Sequence, residues 1–131
     1  MKVIIIYCLV FFSFLIQASD NNSDFKCTVK QAQHVAENGK LDEVKSWDVF
    51  LEKNFMVDRQ TGIIVGQQFK NNIASIKPLV YDHFVNGYSV IAATNTQVVS
   101  YLQITTIDDS PKKVFIYIMN NVVLSGVCVS F

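Results

Sequence analysis

At 131 residues the chain has room for one small domain and a targeting signal. Its 11 lysines and arginines balance 11 aspartates and glutamates, so it lacks the basic patch of a nucleic-acid binder and shows no acidic block. Half of its residues are hydrophobic, and much of that excess stands at the N-terminus.

Met1 and Lys2 open the chain, and the fourteen uncharged residues VIIIYCLVFFSFLI (Val3 to Ile16) follow before the small, polar QASDNNSD. A basic start, an apolar run of roughly 7–15 residues and a small-residue exit make the pattern of a secretory signal peptide. The run is short of the roughly 20 residues that a membrane-spanning helix needs. Residues 1–18 therefore read as a signal peptide cleaved after Ala18, with cleavage after Ser19 as the alternative. Cys8 lies inside the apolar run, which gives no lipoprotein anchor. Cleavage removes Lys2 and none of the 11 acids, so 10 bases face 11 acids from Ser19 onward. No second apolar stretch of membrane length follows, so no membrane span is expected after cleavage. Residues 19–24 read as a flexible tail, and its sequon at Asn21-Asn22-Ser23 matters only in a eukaryotic secretory route. Residues 25–131 read as a single disulfide-stapled β-domain.

Cys27 and Cys128 stand near the two ends of that domain. Two cysteines in a small exported domain pair in an oxidising compartment. They lack the CxxC spacing of a structural zinc site. In DFKCTVK, Phe25, Cys27 and Val29 share one face of a strand; in NVVLSGVCVSF, Val122, Leu124, Gly126 and Cys128 do. Both sulfurs thus point with apolar neighbours, as a buried bridge between adjacent terminal strands requires, and Gly126 is expected to leave room for it.

From Gly39 to Asn54 the spacing of Leu41, Val44, Trp47 and Leu51 predicts a short amphipathic helix. WDVFL could equally extend into a strand at Phe55. FMVDRQTGIIVG then puts strand residues on both sides of Asp58, Arg59, Gln60, Thr61 and Gly62, with Gly62 supplying the positive φ of a hairpin loop. KPLVYDHF and YSVIAAT flank a turn at Asn86-Gly87. In QVVSYLQITTI, Val98, Ser100, Leu102 and Ile104 alternate with Val99, Tyr101, Gln103 and Thr105. VFIYIM and VVLSGVCV meet at Asn120-Asn121. The fold class is mainly β: an antiparallel meander of about eight strands forming a small barrel or sandwich, with at most one short helix.

The motifs Cys27, then Phe55-x-Val57-Asp58-Arg59-x-Thr61-Gly62-x-Ile64-x-Gly66, then Ser125-Gly126-x-Cys128 resemble a group of small exported bacterial proteins of uncharacterised function. The resemblance spans most of the chain after the leader but rests on short motifs, and Lys70 to Gln97 adds nothing distinctive to it. It implies a bacterial, periplasmic or secreted protein and brings no activity or site residue with it.

The chemistry-bearing residues do not converge in sequence. His83 is next to Asp82, but strand neighbours point to opposite faces, so Asp82 cannot orient that imidazole. His34 is expected at the exposed end of the first strand. No G-x-S-x-G elbow nominates a serine and no H-E-x-x-H a metal, so neither catalysis nor a cofactor is expected; a hydrolase using His34 or His83 is the remote alternative. The aromatic residues read as core and cross-strand pairs. Asp58, Arg59, Gln60, Thr61 and Gly62 are the candidate contact loop: the leading expectation is a hairpin turn capped by Asp58, with Arg59, the lone arginine, projecting outward or paired with an acid across the sheet, and the alternative is that Arg59 anchors an acidic group on a partner or ligand. The leading expectation is an exported, non-catalytic β-domain that binds a protein or envelope partner. The alternative is a small barrel that carries an apolar ligand.

Overall fold

The computed structural model describes residues 23–43, 45–69, 77–83, 87–94, 98–107 and 110–131. Residues 1–18, read above as a signal peptide, lie outside them, as do Asn21 and Asn22 of the sequon and Asn86 of the expected Asn86-Gly87 turn. The described strands are β1 (Phe25–Val35), β2 (Leu41–Glu43), β3 (Asn54–Val57), β4 (Ile64–Gly66), β5 (Leu79–Asp82), β6 (Gly87–Thr94), β7 (Val98–Thr106), β8 (Lys112–Met119) and β9 (Val122–Ser130). They form one antiparallel sheet in the order β4-β3-β1-β9-β8-β7-β6-β5, with β2 added beside the end of β1. The sheet curls into a half-barrel.

Strands β5 to β9 are a meander in which each strand pairs antiparallel with the next, as their alternation predicts. At the β8–β9 turn Asn120 takes φ 55°, which asparagine tolerates. The first strand then lies against the last, and Cys27 stands directly opposite Cys128. The two are disulfide-bonded, with Cα atoms 4.0 Å apart.

The predicted short helix is present only over Lys45–Phe50, as a 3-10 helix, so WDVFL does not extend as a strand. Leu41–Glu43 pairs with Gln33–Val35 of β1, leaving Leu41 exposed. A turn in which Glu52 takes φ 58° leads into β3. The free ladder at the end of β1 outcompetes a helix whose apolar spacing covers barely three turns.

The concave face is the core. Phe25, Cys27 and Val29 of β1 meet Phe55 and Val57 of β3, Tyr88 and Val90 of β6, Leu102 and Ile104 of β7, and Phe115 and Tyr117 of β8. At its centre the Phe55 ring lies 4.8 Å from Phe69, 5.1 Å from Phe115 and 6.5 Å from Tyr117, and Phe69 also meets Phe50 at 5.3 Å. Tilted and edge-on ring pairs of this kind stabilise a core beyond their buried area. Tyr81, by contrast, is exposed on the outer face of β5.

Gly126 serves a different neighbour from the one expected. Strand β1 bulges at Lys30, between the pairs Val29–Gly126 and Gln31–Ser125. A Cβ on Gly126 would run into the Thr28 carbonyl oxygen and come within 2.8 Å of the Phe115 ring and 3.0 Å of the Lys30 amide nitrogen. The glycine makes room for the bulged backbone rather than for the disulfide. Gly126→Ala is therefore expected to destabilise the domain by about 1–3 kcal/mol, the cost of overpacking against atoms that cannot rotate away. A urea midpoint equal to that of the parent would refute this account of the bulge.

Candidate functional site

The Asp58–Gly62 loop is built by its own short-range bonds. The Asp58 carboxylate accepts the Thr61 amide at 2.8 Å, the Gly62 amide donates to the Asp58 carbonyl at 2.8 Å, and the Thr61 hydroxyl accepts the Ile63 amide at 3.3 Å. The Asp58 amide donates to the Ile63 carbonyl at 2.9 Å and closes the hairpin between β3 and β4. Gly62 takes φ +70°, the left-handed region that glycine fills without strain. It also sits against the sheet, since a Cβ there would lie 2.8 Å from Val80 and 3.0 Å from Val90.

The Thr61 amide, above all, holds the Asp58 carboxyl below its ordinary value of 3.8, against a desolvation that pulls the other way. A carboxyl whose folded value is depressed stabilises the fold above its ordinary value and loses that contribution as pH falls through the lowered one. The hairpin should therefore loosen as pH drops below 3.8. Protection of the Thr61 and Gly62 amides, measured against intrinsic exchange at each pH, should fall there in the parent, and Asp58→Asn should flatten that dependence. An unchanged profile in the variant would remove Asp58 as the cause.

Arg59 does not reach outward. It is 8% exposed, and its guanidinium forks onto Asp82 of β5, Nε to Oδ2 at 2.6 Å and Nη2 to Oδ1 at 2.9 Å. Its Cζ lies 5.3 Å from the centre of the Phe25 ring, within range of a cation–π contact. Of the roles expected for Arg59, the structure takes the acid across the sheet, because both fork donors that face Asp82 are spent on it. Gln60 is exposed, Asp58 and Thr61 are half-buried, and Gly62 is buried, so the loop offers Gln60 to solvent and turns the rest inward.

Two further residues complete the cluster. The Asp24 carboxylate accepts the Arg59 amide at 3.0 Å, and the Asp24 carbonyl accepts the Phe131 amide at 3.1 Å, so Asp24 is bonded into the domain at the start of β1. The Tyr88 hydroxyl donates to the Asp58 carbonyl at 3.2 Å. Burial pushes the Tyr88 hydroxyl well above its ordinary range, and the charges of Asp82 and Asp58 push the same way. Tyr88 is thus a fixed neutral donor. Asp82 is missed by sequence reading; the signal was an acid at an inward strand position, alternating with Val80.

This cluster joins the two ends of the sheet. Strands β4 and β5 are the termini of the hydrogen-bonded path, and no ladder links them among the described residues. The Arg59–Asp82 pair and the packing of Gly62 on Val80 and Val90 span that seam with side chains. The arrangement is a clasp and presents no reacting group to solvent.

The histidines stand apart from it. His83 is exposed, and Asp82 beside it is engaged by Arg59. His34 lies half-buried in β1, and its Nδ1 is buried without a hydrogen-bond partner among the described residues. No group of three histidine, cysteine, aspartate or glutamate side chains is placed to hold a metal among the described residues. Nor is any described helix long and apolar enough to cross a membrane. Cys27 and Cys128 are 0% and 1% exposed and bonded to each other.

Fold and site define a small antiparallel half-barrel, stapled by one disulfide and clasped across its seam by a buried arginine–aspartate pair. In comparisons with known proteins, no family model, no curated protein and no solved structure matches the chain.

Proposed function

We propose that this chain is an exported, non-catalytic β-domain of a bacterium that binds a macromolecular partner at or outside the cell envelope. The leader pattern of residues 1–18 and the disulfide support export, since such bonds persist in oxidising compartments. The motifs around Asp58, Arg59 and Gly62 and at Ser125-Gly126-x-Cys128 support the bacterial assignment through the resemblance they carry.

One observation carries the binding role. The described interior is occupied by the protein's own rings, Phe50, Phe55, Phe69, Phe115 and Tyr117, while large apolar side chains stand exposed on the outer face. A carrier of an apolar ligand needs the reverse, an apolar cavity open inside the sheet. An apolar outer surface suits a protein contact.

Intact mass spectrometry of the native protein, taken from its export compartment and followed by crosslinking there, tests this function. The expected result is a chain beginning at Ser19 or Asp20, two hydrogens lighter than its reduced form, with no small-molecule mass and with a crosslinked partner. A reproducible added mass that organic extraction removes would replace this reading with the ligand carrier.

A further inference from the structure

The β8–β9 hairpin turns six aliphatic side chains outward: Val114, Ile116 and Ile118 from one strand, and Val123, Val127 and Val129 from the other. Met56 and Val65 extend the patch along the cross-strand row Val65–Met56–Lys26–Val129–Lys112. Strand propensity alone can place β-branched residues on a solvent face. Two further features set this face apart.

The first is its charge. Along the eight-strand path no described aspartate or glutamate faces outward. The outward charges are Lys26, Lys30 and Lys112, and Lys30 is held by Glu52 at 2.7 Å. Glu43, opposite Gln33 on β2, is an outward acid at the far corner. Lys26 and Lys112 flank Val129 on two strands that both border β9, so their backbones are roughly 10 Å apart.

The second is the state of its polar groups. Tyr101 donates to Gln103 at 3.0 Å and receives the Ser89 hydroxyl at 3.4 Å, and Gln103 donates to Thr105 at 3.5 Å. Thr28 donates to Asn54 at 2.6 Å on the same face. Polar side chains that already satisfy one another lose less when water is displaced. The face is thereby prepared for desolvation.

Building on the partner-binding reading, we infer that this outer face docks a protein whose own apolar surface carries two carboxylates set to meet Lys26 and Lys112. A second copy fits poorly, because its matching patch would bring the same two ammonium groups and no carboxylate. A bilayer fits poorly as well. Two lysines contribute only about 2 kcal/mol at an anionic surface, and a convex sheet touches a flat surface along a narrow strip.

The test places a photo-crosslinking residue at Ile116, at Val129 or at Gln60 in the full chain, in the source cells. The expected result is one protein adduct of a mass other than twice the chain, formed from positions 116 and 129 and not from 60. Lys26→Glu with Lys112→Glu should lower its yield about tenfold or more while leaving the thermal midpoint in place. Reversing acids to lysine on the captured protein should restore it. An adduct from position 60 alone would overturn this face and leave the partner-binding function standing. No protein adduct from any position would overturn both. An adduct of twice the chain mass would assign the face to self-association, and co-sedimentation with phosphatidylglycerol vesicles that the double reversal abolishes would assign it to lipid; either result defeats the inference.

Discussion

Asp82→Ala is expected to destabilise the domain by about 3–5 kcal/mol, the cost of leaving one member of a buried ion pair without its partner. The Arg59 guanidinium, 8% exposed in the parent and set above the Phe25 ring, would lose the carboxylate that takes its fork. A domain of this size has about 5–15 kcal/mol in total, so the loss would reach a large part of it. Its location is as diagnostic as its size. Because Arg59 and Asp82 link β4 and β5 where no described ladder does, amide exchange should accelerate first at that seam. The β7–β8–β9 ladder, paired on both sides, should hold longer. Replacing the pair together, Arg59→Met with Asp82→Leu, should recover most of the stability, since an apolar pair needs no compensation for buried charge. Urea denaturation of the three variants reads the comparison directly. A single variant within about 1 kcal/mol of the parent would mean that the clasp opens to water in solution.

Removing the disulfide is the second large effect. Cys27 and Cys128 are separated by 101 positions, and cross-linking a loop of that size restricts the unfolded chain by up to about 4.7 kcal/mol on the chain-entropy model. Cys27→Ala with Cys128→Ala is expected to cost about 2–5 kcal/mol, the range for native bridges in small exported domains. The bridge joins β1, which carries β2, β3 and through it β4, to the β5–β9 meander, so its loss falls on the junction that unites the two parts. With both sulfurs buried, a mild reductant should act only after the sheet opens. Thiol labelling should therefore stay negative in native buffer with reductant and turn positive on adding urea. Rapid labelling without denaturant would show that the β1–β9 ladder opens by itself.

The parts of this molecule that were legible from sequence are the ones whose bonds close over a few residues. The Asp58–Gly62 turn is such a case, because its carboxylate, amides and glycine meet within one hairpin. The facing of Cys27 and Cys128 is another, since a two-residue period sorts side chains to one face or the other and both cysteines fall with the apolar set. The pairing of β5 to β9 as successive antiparallel neighbours follows from their alternation in the same way.

Other features waited on the sheet. Residues 39–54 carry apolar spacing that suits a helix, and the open ladder at the end of β1 took Leu41–Glu43 instead. The room at Gly126 depends on a bulge at Lys30 that only the β1–β9 register creates. Arg59 read as a residue that could face out or in, and its partner is Asp82, 23 positions away, on a strand brought alongside only when the sheet curls. The sequence by itself determined the long alternating strands, the Asp58–Gly62 turn and which face each cysteine takes, because these are set by sterics and hydrogen bonds between near neighbours. The tertiary structure alone decided which acid answers the arginine, where the backbone bulges and which apolar face stays outside, because each depends on strands that meet across long stretches of chain.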